Sequence, residues 1–228
     1  MLDKECHIIL QNHYDATNGQ VKKKEIGVIK GYKMATVDDY YPHVLCTDYN
    51  LEYKKFMEWF EKEVLYVLNV LWNQHFIIKL TLSQLNYRET IIFLENLREF
   101  SSRITLELVE EVFEAPTKNH FSTQEKEAFF KGKLKMLKKW KYTISKHIEG
   151  GSMERILALT PCIDEIKYAM NKEASLREKV TDFNLFIQFW EYWAKTKQLR
   201  FVVAVEEKTD FMTKLLIQKN IHVQYKRA

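Results

Sequence analysis

Apolar residues recur along this chain in two rhythms, one in short alternating or continuous runs and the other at every third or fourth position over longer stretches. The first two short runs, His7–Leu10 and Glu25–Met34, are joined by a polar segment containing Asn18-Gly19, a strong hairpin signal. They predict an antiparallel opening pair. From Leu51 to Trp72 the helical spacing of Phe56, Trp59, Phe60, Val64, Leu68 and Leu71 predicts a long helix with one broad apolar face. Further strands are predicted at His75–Leu80, Ile104–Val109, Lys141–Ser145, Ile163–Tyr168, Leu199–Val205 and Ile221–Tyr225. Helices are predicted at Thr90–Phe100, Ser152–Leu159, Arg177–Thr196 and Asp210–Lys219, and one more starts at Ser122 or Thr123, either of which can cap it. Strands alternating with helices imply a mostly parallel sheet, and about eight of them favour a closed barrel over a doubly wound sheet.

Composition narrows this picture. With 228 residues and 46% hydrophobic content the chain can bury one barrel-sized core, and its 6 Gly and 3 Pro mark no linker, so residues 1–228 are read as one domain. Asp3, Lys4 and Glu5 stand where a signal peptide needs apolar residues, and no run approaches the roughly 18 apolar residues of a membrane span, so a cytoplasmic protein without membrane attachment is expected. Cys6, Cys46 and Cys162 are isolated thiols without metal-ligand spacing. A net charge of +4 permits an anionic partner without demanding one.

In parallel barrels the chemistry sits at the carboxyl ends of the strands. Here those ends carry Lys33, Lys79, Glu107, Lys146 with His147, Lys167, and the segment from Val205 to Lys208. One strand end presents a carboxylate where most others present ammonium groups.

Four segments at these ends, in this order, resemble the EAL domain family, the cyclic di-GMP phosphodiesterases of bacterial second-messenger signalling. HFIIKLTLSQL is similar to that family's VNLSxxQL segment, ITLELVEE to LELTE, IDEIKYAM to VDxIKID, and VVAVEEKT to IAEGVET. The resemblance covers nearly the whole chain. It implies an α/β fold, a TIM-barrel-like architecture modified by an antiparallel first strand, and chemistry in which two divalent metals held by acids and amides activate a water against a phosphodiester. Oxygen donors of that kind suit hard cations.

Carried onto this chain, the family's ligand positions are mostly replaced. The signature glutamate falls on Lys33 and the amide ligand of the following strand on Lys79, while Glu107 keeps its carboxylate. The paired aspartates fall on Lys146 and His147, the family lysine on Lys167, a later aspartate on Ala169, and the last acids on Val205 and Lys208. A glutamine near the last strand is matched by Gln224. The resemblance therefore implies a degenerate, inactive relative without a catalytic residue, metal or cofactor.

Each position also has a plainer reading. Glu107 is either a leftover ligand or the ion-pair partner of neighbouring lysines, and Lys167 either binds phosphate or bridges to Glu107. If Lys33, Lys79, Lys146 and Lys208 surround one mouth they form an anion pocket together with Glu107, His147 and Lys167; otherwise they are drift, turned to solvent or paired with Glu107 and Glu110. His147 either does acid–base work or, as a lone histidine without a positioned nucleophile or carboxylate, is structural, and Lys131–Lys141 reads as a solvated helix face rather than a nucleic-acid patch. Phe186, Phe189, Trp190 and Trp193 cover the barrel or, in part, meet another chain. The function expected is regulation through a protein partner, a homodimer being one form of such contact. The alternatives are a metal-independent receptor for cyclic di-GMP or another phosphorylated ligand, and an active phosphodiesterase with a rearranged site.

Overall fold

A computed structural model describes residues 6–30, 51–109, 123–148, 153–170, 180–205 and 222–226. Eight strands close a barrel in sequence order. They are β1 (Cys6–Asp15), β2 (Val21–Lys30), β3 (Phe76–Thr81), β4 (Ile104–Val109), β5 (Thr143–His147), β6 (Glu165–Met170), β7 (Arg200–Val205) and β8 (His222–Lys226). The helices are α1 (Leu51–Val70), α2 (Arg88–Asn96), α3 (Thr123–Lys139), α4 (Met153–Leu159) and α5 (Val180–Thr196). Strand β1 runs antiparallel to both β2 and β8, whereas β2 through β8 are mutually parallel. This is the TIM-barrel-like fold with an antiparallel first strand that the sequence predicts.

The hairpin forms where Asn18-Gly19 places it. Gly19 takes φ 69°, a left-handed conformation open to glycine, and its N–H donates to the Asp15 carbonyl at 2.8 Å. The Asp15 carboxylate accepts the Thr17 N–H at 2.8 Å and fixes the turn from its other side.

Alternation along each strand divides the barrel into two layers. Phe76, Ile78 and Leu80 on β3, Ile104, Leu106 and Leu108 on β4, and Phe201, Val203 and Val205 on β7 face outward into one apolar layer with Phe56, Phe60, Val64 and Leu68 of α1. Phe60 meets Phe93 of α2 at 5.3 Å between ring centroids, and the Tyr142 hydroxyl donates to the Leu94 carbonyl at 2.6 Å. On α5, Trp190 is buried, Phe186 and Trp193 are partly covered, and Phe189 stays 47% exposed.

Some element ends differ from the sequence reading. Strand β2 begins at Val21 rather than Glu25, because Lys23 and Glu25 are two apart and both turn into the barrel. Strand β5 begins at Thr143 because Lys141 takes a left-handed turn at φ 71°. The stretch Thr90–Phe100 divides into α2 and a 3-10 turn over Arg98–Arg103. Strand β6 begins at Glu165, since Ile163 closes a 3-10 turn and Asp164 spends its carboxylate on the Ile144 N–H at 2.9 Å. Lys33, Glu110, Lys208 and the helix expected over Asp210–Lys219 lie outside the described residues. No helix among the described residues is long and apolar enough to cross a membrane.

Candidate functional site in the barrel interior

The inner layer is charged. From β2 come Lys23 and Glu25, from β3 Lys79, from β4 Thr105 and Glu107, from β5 Ser145 and His147, and from β6 Glu165 and Lys167, and the strand register sets these side by side. Every one but Lys79, which is mostly covered, belongs to the buried set, together with His13 from β1. Transfer of so many charges from water is tolerable only if they pair.

They pair in two groups. Towards the carboxyl ends, the Lys167 ammonium donates to Glu107 Oε2 at 2.5 Å, with both side chains at most 3% exposed. Beside it the Lys79 ammonium lies 3.0 Å from Glu25 Oε1, and His13 Nε2 lies 2.8 Å from the other oxygen of that carboxylate. Burial pushes the Glu107 carboxyl upward, but Lys167, then His147 and Lys79, outweigh it and hold the group at about 2. Glu107 is therefore a carboxylate throughout the physiological range.

Towards the amino ends a second group stands on Glu165. Its Oε2 lies 2.6 Å from Arg200 Nη2 and 3.7 Å from Lys23 Nζ, and Lys23 also donates to Thr105 Oγ1 at 3.0 Å. Burial draws the Lys23 ammonium below its ordinary value, partly offset by Glu165.

The residues singled out from the sequence thus separate. Lys79, Glu107, His147 and Lys167 come together on the inner faces of β3 to β6. Lys146 does not join them. Its register partners, Leu108 and Ile166, belong to the apolar outer layer, so strand alternation turns Lys146 towards the helices, and the ring of four lysines about one mouth is corrected at that position. Val205 lies in the same outer layer, and Gln224 is set opposite Ala204 and Asp15 in the register.

Sequence reasoning missed His13, Lys23, Glu25, Glu165 and Arg200. The signal available was charge at two-residue spacing, Lys23 with Glu25 and Glu165 with Lys167, which puts two charges on one face of a strand. Among the described residues no group of three His, Cys, Asp or Glu side chains is placed to hold a metal ion.

The fold is that of EAL domain proteins. An EAL domain protein from Listeria monocytogenes EGD-e superposes with a TM-score of 0.72 at 13% identity, over 97% of this chain and 85% of that one. The cAMP-bound form of the EAL enzyme Bd1971 gives 0.71 at 13%, over 98% of this chain and 61% of that one. The Bacillus subtilis YkuI protein, which has an EAL domain and was solved in complex with its substrate cyclic di-GMP and calcium, gives 0.66 at 13%, over 97% of this chain and 54% of that one. The chain thus spans about three fifths of Bd1971 and little more than half of YkuI. No family model and no curated protein sequence matches the chain.

Proposed function

We propose that this chain is a non-hydrolytic protein of EAL type that acts in cyclic di-GMP-related signalling as a regulator, by contact with a protein partner rather than by turnover. The observation that carries this reading is that the interior carboxylates are answered by the chain's own ammonium groups, Glu107 by Lys167 and Glu25 by Lys79, the latter standing where the resemblance places an amide ligand. An EAL-type hydrolase needs several oxygen donors converging on two cations. In this barrel Glu107 is engaged by one ammonium and lies in the field of Lys79 and His147, while Glu25 is shared between Lys79 and His13. An ammonium placed on the remaining carboxylate neutralises it and repels a divalent ion, so these donors do not fit a metal pair.

The proposal makes a direct prediction. Incubation with cyclic di-GMP and Mg²⁺ or Mn²⁺, followed by chromatography for the linear dinucleotide, shows no product above a protein-free control. Turnover that is lost on Glu107→Gln defeats the reading. Calorimetry with cyclic di-GMP in chelator separates it from the receptor alternative, which requires metal-free binding that weakens with Lys79→Glu.

A further inference from the structure

We propose a second site, at the opposite end of the barrel from Glu107, that binds a phosphate-class anion. A groove of about 630 Å³ opens there, lined by residues that include Lys138, Thr143, Thr160, Asp164, Lys197 and Arg200. Its volume lies in the range of small-molecule sites. The amino-terminal ends of β5 and β7, the last turn of α3, the 3-10 turn that leads into β6 and the turn after α5 bring these residues together.

Among the described residues the groove has more cation than acid, and the one carboxylate among them that lines it is already satisfied. Asp164 Oδ1 lies 2.7 Å from Lys138 Nζ, and Oδ2 accepts the Ile144 N–H at 2.9 Å. Behind the wall Glu165 serves two cations, Arg200 at 2.6 Å and Lys23 at 3.7 Å, so one negative charge answers two positive ones. Lys197 makes no ion pair among the described residues. Arg200 lines the groove with its side chain 48% exposed and its Nη2 2.6 Å from Glu165 Oε2, and a guanidinium carries five N–H groups, so donors remain beyond that contact.

A guanidinium fork and the Lys197 ammonium, with the Thr143 hydroxyl beside them, form a donor set for phosphate oxygens, whereas the Thr160 hydroxyl donates to the Ile156 carbonyl at 3.0 Å. Deeper in, Glu165 touches Lys23, which touches Thr105, two residues before Glu107 on β4. An anion drawing on Arg200 shifts more of Glu165 onto Lys23, so occupancy is coupled to the charged interior.

Titration of the full chain with inorganic phosphate and pyrophosphate, followed by calorimetry, tests the site. Pyrophosphate is expected to bind and Lys197→Glu to weaken it at least about tenfold, the loss of one charge-assisted contact. Arg200→Lys, which keeps the charge and loses the fork, weakens it as well. Lys62→Glu, the same change of net charge on the exposed side of α1, is expected to leave affinity unaltered. The proposal falls if pyrophosphate does not bind, if Lys197→Glu and Lys62→Glu weaken it equally, or if Lys79→Glu abolishes binding while Lys197→Glu does not, which places the anion at the other end.

Discussion

Glu107 is where the interior electrostatics can be measured. Its carboxyl is held at about 2 against an ordinary 4.5 because the Lys167 ammonium, with His147 and Lys79, outweighs the burial that pushes it up. A depressed carboxyl stabilises the fold fully above its unfolded value, and that stabilisation drains away as pH falls from about 4.5 towards about 2. A shift of this size is worth roughly 3 kcal/mol. Urea melts across that range are expected to show the loss in the wild type, and the part due to this group should vanish in Glu107→Gln. At neutral pH the same substitution should cost about 3 to 5 kcal/mol, because Lys167 is then buried without its partner. Adding Lys167→Met should recover much of that cost; if the two losses simply add in a double-mutant cycle, the pair is not coupled. The Glu107–Lys167 bond was visible in the sequence as one of two readings, since both residues sit near strand ends. The pairing of Glu25 with Lys79 and His13 was not, because it needs the register of three strands and not the content of any one.

At the level of elements, the junction between α1 and β3 depends on a residue from a distant turn. Arg103 donates from Nη2 to the Leu68 carbonyl at 3.0 Å and from Nη1 to those of Leu71 and Gln74 at 3.1 and 3.3 Å, while its guanidinium carbon lies 5.4 Å from the Phe100 ring centre. The last carbonyls of a helix lack intrahelical donors, and a cation at that end also answers the helix dipole. Arg103→Met should therefore lower unfolding free energy by roughly 1 to 3 kcal/mol in denaturant melts. Arg103→Lys should regain only part, since a point charge cannot reach several carbonyls as a planar fork does; full recovery by lysine would assign the effect to charge alone. Such long-range caps leave no local mark, whereas α1 itself was plain from its apolar spacing. The misplaced strand starts have the same origin. Lys22-Lys23-Lys24 reads as a loop until an interior that accepts Lys23 turns it into strand, and the left-handed turn at Lys141 interrupts what looks like continuous β sequence.

For the whole molecule, the question is what holds the strands together across the barrel's centre. Side-chain ties there run from β2 to β3 through Glu25–Lys79, from β1 to β2 through His13–Glu25, and from β4 to β6 through Glu107–Lys167. All are supplied by the chain itself. A barrel whose carboxylates were tied by divalent ions would gain stability from the ion as from any ligand that binds only the folded state, about 2.7 kcal/mol at a hundred times its dissociation constant. For a domain of this size each kcal/mol moves the melting temperature by roughly 2 to 4 °C. The self-paired interior predicts the contrary, the same melting temperature within about 1 °C in EDTA and in millimolar Mg²⁺ or Mn²⁺. Because ties at this depth are little screened, moderate salt should not separate the curves either. A rise of several degrees with Mn²⁺ that disappears in Glu107→Gln would mean that Glu107 leaves its lysine for a cation, and the proposal of a non-hydrolytic protein would fall with the pairing on which it stands.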